Sequence, residues 1–164
     1  MTVISRQWVL RRRPQGLIQP GDLELIETPL PGLQPGEVLV RTLYLSLDPT
    51  NRTWMNDSEG YLPPVALGEV MRGLTLGVVE QSQSERFQPG DLVSPQSGGW
   101  ADYAVVSDSG LRRIHRIPGL PLTAHLSVVG MTGMTAYFGI TDVLKVQPGE
   151  TLVISAAAGA VGSI

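Results

Sequence analysis

The chain has 164 residues, a formal net charge of −3, 42% apolar residues and 16% charged residues. This length fits one domain, or one domain and part of another, and the composition excludes a disordered chain and disfavours nucleic acid as a partner. No apolar run approaches the ~20 residues that span a bilayer, and the N-terminus lacks the pattern of a secretion signal. We therefore expect a cytoplasmic protein with no membrane partner.

Cysteine is absent, and the two histidines are His115 and His125. The lack of cysteine excludes disulfides, iron–sulfur clusters, thiolate zinc sites and cysteine nucleophiles. Two histidines without supporting carboxylates do not form a metal site, so no metal is expected.

Short strands separated by turns are predicted along the first part of the chain, which is rich in glycine and proline. Three segments share the pattern Gln-Pro-Gly-acid, in which proline presets φ and glycine accepts the positive φ of a type II turn. These turns are 34–37, 88–91 and 147–150. The predicted strands are 8–10, 38–47, 74–80, 92–94 and 100–106. Residues 1 to about 120 are therefore predicted to form an all-β barrel or sandwich.

The pattern changes in the C-terminal part of the chain. Residues 122–144 have the spaced apolar positions of one or two helices, interrupted by Gly130 and Gly133. The almost continuously apolar run 151–156 predicts a strand buried on both faces of a parallel sheet, and 156–164 should open a helix. Because such a strand–turn–helix unit needs the rest of its sheet, we expect the chain to be the front part of a longer protein.

The turn after this predicted buried strand matches a dinucleotide-binding fingerprint. Ala157-x-Gly159-x-x-Gly162 has alanine at the first glycine position and glycine at the other two. The second position lets the backbone approach a pyrophosphate, the third allows close helix–strand packing, and the helix N-terminus offers free N–H groups. A small-residue turn without any ligand explains the motif equally well.

Seven segments spread over nearly the whole chain carry a family resemblance. They include Gly-Gly-Trp-Ala-Asp-Tyr at 98–103 and Met-Thr-Gly-Met-Thr-Ala-Tyr at 131–137. The others are 45–49, 65–73, 77–79, 90–93 and 156–163. In this order they resemble the medium-chain dehydrogenase/reductase superfamily and, within it, the zinc-independent NADP-dependent alkenal/one oxidoreductases, which include prostaglandin and curcumin reductases.

The resemblance implies a mainly β fold, with a GroES-like barrel of short strands followed by helix and by the first strand and phosphate turn of a truncated Rossmann α/β domain. The implied domains are a GroES-like substrate-side domain over 1–122 and the start of an NADP-binding domain over 123–164. Zinc-dependent relatives have a cysteine after the strand that here ends at Leu47, and a Gly-His-Glu triplet where this chain has Gly-Glu-Val at 68–70. The implied reaction is therefore zinc-independent hydride transfer from NADPH to the C=C bond of an α,β-unsaturated ketone or aldehyde. We expect it of the full-length protein and not of this chain alone.

The resemblance also implies the residues of the site. Those expected at the cofactor pyrophosphate are Gly159, Ala160, Val161, Gly162 and Ser163, and those expected near the nicotinamide are Met131, Thr132 and Thr135. Those expected to line the substrate pocket are Asn51, Arg52, Trp54 and Tyr61. Trp100 is a further candidate for a pocket wall, and no catalytic acid is assigned.

Structural alternatives accompany several of these residues. Met131 is equally well explained by helix packing, and Tyr61 and Trp100 by core packing. Arg52 is equally well explained by an ion pair with Asp48 or Asp57.

Two other functions are open at this point. A zinc-free quinone reductase of the same superfamily would differ in its preferred acceptor, whereas a GroES-like binding or assembly module would carry out no reaction. The expected partner is a small enone, enal or quinone, and homodimers are common in the resembled family. The choice of NADP as cofactor rests on the resemblance.

Overall fold

The computed structural model describes residues 2–58, 60, 62–95 and 99–164. The chain divides into two compact units, Met1–His115 and Arg116–Ile164. The first unit contains two β-sheets, so the mainly β fold class is confirmed. The domain boundary at residues 122 and 123 stays a prediction.

Two antiparallel sheets form the first unit. The strands are β1 (Ile4–Leu10), β2 (Leu23–Pro29), β3 (Glu37–Leu45), β4 (Thr75–Ser82), β5 (Leu92–Pro95), β6 (Tyr103–Ser107) and β7 (Leu111–Arg113), and the short helix α1 (Pro49–Thr53) follows β3. One sheet has the order β6-β3-β4-β5-β7, and the other pairs β1 with β2. Strand β1 makes further backbone hydrogen bonds, from Trp8 N to Trp100 O and from Met71 N to Trp8 O, both at 2.8 Å. The N-terminal strand therefore joins the segments around residues 71 and 100.

Two apolar clusters form the core of this unit. The first consists of Val38, Val40, Val79, Phe87, Val93, Val106 and Leu111. The second consists of Leu10, Met55, Val65 and Met71, with Leu23, Trp54 and Trp100 packed against it. Strand β3 is paired on both sides, and its Val38 and Val40 are almost fully buried. Burying a valine side chain contributes roughly 1.5–3 kcal/mol, so this central strand supports much of the first cluster.

The predicted Gln-Pro-Gly-acid turns are confirmed. Their positive φ angles are 82° at Gly36, 94° at Gly90 and 92° at Gly149. The acid at the fourth position accepts a hydrogen bond from the amide of the first, as between Gln34 N and Glu37 Oε2 at 2.9 Å. The segment 19–22 has the same pattern and the same bond, from Gln19 N to Asp22 Oδ2 at 2.8 Å, and it was not predicted. The carboxylate therefore closes these turns in addition to the glycine.

The five strands predicted for the first unit are present, as β1, β3, β4, β5 and β6. Strands β2 and β7 are additional. In β2 two glutamates interrupt the apolar pattern, and β7 is three residues long with two arginines. Each pairs with a strong strand, β2 with β1 and β7 with β5, so tertiary pairing outweighs their local propensity.

Helices occupy the first part of the second unit, as predicted. A 3₁₀ helix spans Leu122–Leu126, the α-helix α2 spans Met131–Phe138, and a π-helical segment spans Gly139–Leu144. A side chain at Gly133 would collide with the carbonyl of Val128, so glycine is required at the start of α2. None of the helices in the described ranges is long and apolar enough to cross a bilayer.

The predicted buried strand over 151–156 is not formed. The segment lacks strand pairing and its side chains are exposed, Val153 by 86%. A lone strand cannot satisfy its own backbone groups, and the described part of this unit contains no other strand to pair with it. The predicted helix after it is reduced to a single helical turn, in which Ser163 N donates to Gly159 O at 3.0 Å.

Candidate cofactor and substrate sites

The segment after β3 places the predicted pocket residue Asn51 in the interior. Asn51 is 5% exposed, and both ends of its amide are bonded to backbone groups. Its Oδ1 accepts from Asp48 N at 2.6 Å, and its Nδ2 donates to Arg72 O at 3.0 Å. Asn51 therefore fastens the start of α1 to the segment around residue 72.

Arg52 fastens the same helix to a different loop. Its guanidinium donates to Pro14 O at 2.9 Å and to Gly16 O at 2.8 Å. Among the described residues it pairs with neither of the two carboxylates named as alternatives, and Asp57 instead pairs with Arg13 at 3.2 Å. The ion-pair alternative is therefore wrong, because the backbone carbonyls of Pro14 and Gly16 and the Oδ1 of Asn56 accept the protons of the guanidinium.

Trp54 is half-buried directly after α1, against the second apolar cluster. Its Nε1 is buried and has no hydrogen-bond partner among the residues that the structure describes. The guanidinium carbon of Arg72 lies 5.2 Å from the centroid of its ring. Arg72 was not predicted as a site residue, because the sequence marked it only as part of 65–73, one of the segments that carry the family resemblance. Tyr61, the remaining predicted pocket residue, lies outside the described residues.

Trp100 borders an open cleft of about 310 Å³ on the first unit. The cleft is lined by Arg6, Trp8, Leu25, Thr42, Leu45, Gly99, Trp100, Ala101 and Asp102. At its rim Arg6 Nε donates to Asp102 Oδ2 at 2.6 Å, and this bond and charge raise the pKa of Arg6 above its ordinary value. The indole edge of Trp100 rests on Gly73, where a Cβ would lie 2.8 Å from Nε1. Trp100 thus combines a partly buried position with an accessible apolar cleft.

In the second unit, α2 carries the residues predicted near the nicotinamide. Met131 is 64% exposed, so its side chain does not pack in a core of this unit. Thr132 Oγ1 donates to Ser127 O at 3.0 Å, and Thr135 Oγ1 donates to Met131 O at 2.8 Å. Each hydroxyl proton is thereby used within the unit, and each oxygen keeps acceptor capacity for another group.

The predicted phosphate turn brings residues 159–163 into one loop. Gly159 N donates to Ala156 O at 2.8 Å. A Cβ at Gly162 would overlap the same carbonyl oxygen, so a side chain cannot be accommodated there. The backbone hydrogen bonds of this turn use the amide protons of 159, 163 and 164. Those of 160–162 are not used in these bonds. Such successive amides suit an anionic group, so the residues present fit a pyrophosphate.

No group of three or more histidine, aspartate or glutamate side chains able to hold a metal ion occurs in the described ranges, which omit residues 1, 59, 61 and 96–98.

Comparison with known proteins identifies the family. Residues 6–114 match the family model described as the N-terminal domain of oxidoreductase. This chain belongs to the medium-chain dehydrogenase/reductase family. The match covers most of the first unit and confirms the resemblance stated above.

Three similar proteins extend the comparison beyond that domain. The NADPH-dependent curcumin reductase of Escherichia coli is 43% identical over 159 residues, which cover 97% of this chain and 46% of that protein. The NADP⁺-dependent 2-alkenal reductase of Nicotiana tabacum is 35% identical over 167 residues, which cover 99% and 48%. The crystal structure of CurA from Vibrio vulnificus in complex with NADPH has a TM-score of 0.85 and 41% identity, over 96% of this chain and 46% of that one. The chain thus spans about half the length of the relatives it matches.

Proposed function

We propose that this chain is the N-terminal part of an NADP-dependent, zinc-independent oxidoreductase that reduces the C=C bond of α,β-unsaturated ketones and aldehydes. The observation that carries the proposal is the glycine-lined turn 159–163, in a chain 41% identical to a protein crystallised with NADPH. The substrate class is supported by the activities of two relatives, a curcumin reductase and a 2-alkenal reductase. Curcumin and 2-alkenals share a C=C bond conjugated to a carbonyl.

The turn and α2 supply the groups that would hold the cofactor. The amides of 160–162 would donate to the pyrophosphate, and the bare Gly159 and Gly162 would let it approach the backbone. The hydroxyl oxygens of Thr132 and Thr135 would accept from the amide group of the nicotinamide. NADPH supplies a hydride when it is bound.

The first unit supplies the groups that would hold the substrate. The partly buried indoles of Trp54 and Trp100 offer apolar surface that excludes water from a conjugated carbonyl compound. The absence of a cysteine after the predicted strand that ends at Leu47, and of a histidine at 68–70, supports a reaction without zinc. The cytoplasmic location and the homodimer stay predictions.

The test is the loss of NADPH absorbance in the complete protein with an enone, a 2-alkenal and a quinone as acceptors, in the presence of a metal chelator. Turnover of the enone and the alkenal that persists in chelator is the expected result. Turnover of the quinone alone would favour the quinone-reductase alternative. Absence of both turnover and NADPH binding would overturn the assignment and favour a binding module.

A matched pair of substitutions tests the turn itself. Gly162→Ala places a Cβ against the carbonyl of Ala156, whereas Gly139→Ala in the same unit meets nothing within 4 Å. We expect Gly162→Ala to weaken NADPH binding by about tenfold or more, and Gly139→Ala to leave it unchanged. Equal affinities in the two variants would remove the turn from the cofactor site.

A further inference from the structure

Arg72 connects three parts of the candidate substrate site. Its own carbonyl accepts from Asn51 Nδ2 at 3.0 Å. Its Nη1 donates to Pro63 O at 2.9 Å, and its guanidinium carbon lies 5.2 Å from the centroid of the Trp54 ring. One residue therefore touches α1, the indole that follows α1 and the chain that returns toward Val65.

Within the described part of the chain, the indole of Trp54 has no hydrogen bond to fix its orientation. Its Nε1 is buried and bonds to none of the described groups, although the backbone carbonyl of Trp54 accepts from Val65 N at 2.9 Å. A buried indole usually places its N–H on an acceptor, which sets the direction of the ring. Of the contacts that the structure describes, packing against the second apolar cluster and the cation on the ring face are those that can set that direction.

The charge of Arg72 is available for this contact. Among the described residues no carboxylate forms an ion pair with Arg72, whereas Arg13 is paired with Asp57. An arginine that is half-buried and not neutralised by a carboxylate interacts more strongly with an aromatic face than an exposed, paired one. Its planar group can also stack on the ring while Nη1 keeps its bond to Pro63 O.

We propose that Arg72 is a positioning residue that sets the orientation of the Trp54 indole and, through it, the shape of the pocket for the conjugated carbonyl substrate. The second part rests on the proposed function. Arg72 thus acts on substrate fit through Trp54 and takes no part in proton or hydride transfer. Its loss should change the affinity for substrate more than the rate of the chemical step.

The first experiment needs no activity. The ¹H–¹⁵N spectrum of the chain contains three indole N–H signals, from Trp8, Trp54 and Trp100, which single Trp→Phe variants assign. Arg72→Met removes the cation and keeps an unbranched side chain, and Arg72→Lys restores a cation without the plane. Arg86→Met is the matched control, because the guanidinium carbon of Arg86 lies 5.6 Å from the centroid of another aromatic ring, that of Phe87.

The expected result is a displaced Trp54 signal in Arg72→Met, a partial return in Arg72→Lys and no displacement in Arg86→Met. In the complete protein, we expect Arg72→Met to raise KM for the enone about fivefold, with kcat changed less than about twofold. An unmoved Trp54 signal would overturn the proposal, as would an equal fall in kcat and kcat/KM. If the wild-type protein turned over no enone, the proposed function would fail, and the indole signals alone would still decide whether Arg72 orients Trp54.

Discussion

The same turn leads to opposite outcomes in the two units of the chain. In the first unit, 34–37 closes with a bond from Glu37 N to Gln34 O at 2.9 Å and runs directly into β3. In the second, 147–150 closes with the equivalent bond at 3.1 Å and runs into 151–156, which forms no strand. Turn geometry is therefore encoded locally in this chain, whereas strand formation is not.

Neighbouring strands account for the difference. Strand β3 has β4 on one side and β6 on the other, so its backbone groups are bonded and its valines are buried. The run 151–156 is at least as apolar, but in the described part of its unit no strand edge is available. Hydrophobic pattern thus predicts which segments can become strands, and pairing decides which of them do.

The largest effect on stability is expected from adding one methyl group between the paired strands β3 and β4. A Cβ at Gly77 on β4 would lie 2.7 Å from the backbone carbonyl of Arg41 and even closer to Val40. Because β3 and β4 are held by hydrogen bonds, neither can move aside, and we expect Gly77→Ala to lower the free energy of unfolding by about 3 kcal/mol. Urea unfolding followed by tryptophan fluorescence measures this.

The matched change in the second unit is Gly162→Ala. Its Cβ also meets a backbone carbonyl, that of Ala156, but in a loop without strand pairing. All three tryptophans lie in the first unit, so their fluorescence reports on that unit. We expect Gly162→Ala to change the free energy of unfolding measured by this fluorescence by less than about 0.5 kcal/mol. A loss equal to that of Gly77→Ala would show that the two units do not differ as argued.

A smaller effect is expected from the contacts that anchor α1. Arg52→Ala removes the bonds to the carbonyls of Pro14 and Gly16 and should lower stability by about 1–2 kcal/mol. Arg112→Ala, on the exposed face of β7, is the control and should cost less than about 0.5 kcal/mol. If Arg52→Ala unfolded like the control while substrate affinity fell, Arg52 would be a binding residue rather than an anchor.

The role of Arg52 also shows where prediction from sequence ends. Besides the side chain of Asn56, its partners are backbone carbonyls 36–38 positions away, and a backbone carbonyl leaves no signature in a sequence. The same holds for the amide nitrogen of Asn51, which donates to the distant carbonyl of Arg72. Sequence could place these residues after a strand and near a pocket by resemblance, but it could not reveal which groups they contact.

Local features were far more predictable. Proline and glycine determine φ by their own chemistry, so the type II turns and their glycines could be predicted directly. Strong apolar runs located β1 and β3 to β6, while β2 and β7 depend on a partner strand for their existence. The prediction of a strand over 151–156 is wrong for the same reason, because the strand pattern is present there but the described part of its unit offers no partner strand.

The unpredicted turn at 19–22 gives a test that depends on pH. Asp22 is 2% exposed, and the amide of Gln19, assisted by Arg12, holds its pKa below the ordinary value of 3.8 against the opposing effect of burial. A carboxyl with a lower pKa in the folded state stabilises the fold at pH values above 3.8. This stabilisation is lost as the pH falls from 3.8 through the folded-state pKa.

Replacing this carboxylate should therefore remove part of the acid sensitivity of the first unit. We expect Asp22→Asn to lower the urea midpoint near neutral pH by less than Arg52→Ala does, and to flatten its decline at pH values below 3.8. Glu150→Gln changes the equivalent position in the second unit. At every pH it should leave the urea midpoint measured by tryptophan fluorescence equal to that of the wild type. An undiminished acid decline in Asp22→Asn would assign that decline to other carboxylates.

The smallest effect on stability, and the sharpest on function, is expected on α2. Thr135 Oγ1 bonds the carbonyl four residues earlier, and Thr141 Oγ1 makes the same bond to Tyr137 O at 2.8 Å in the same unit. Because these bonds are local and exposed, Thr135→Val and Thr141→Val should both change stability by less than about 0.5 kcal/mol. The two variants should differ only in cofactor affinity. In the complete protein, the Kd for NADPH should rise about threefold or more in Thr135→Val, because an acceptor is lost. It should stay constant in Thr141→Val. Calorimetric titration measures this difference, and equal Kd values would mean that the Thr135 hydroxyl serves the helix alone.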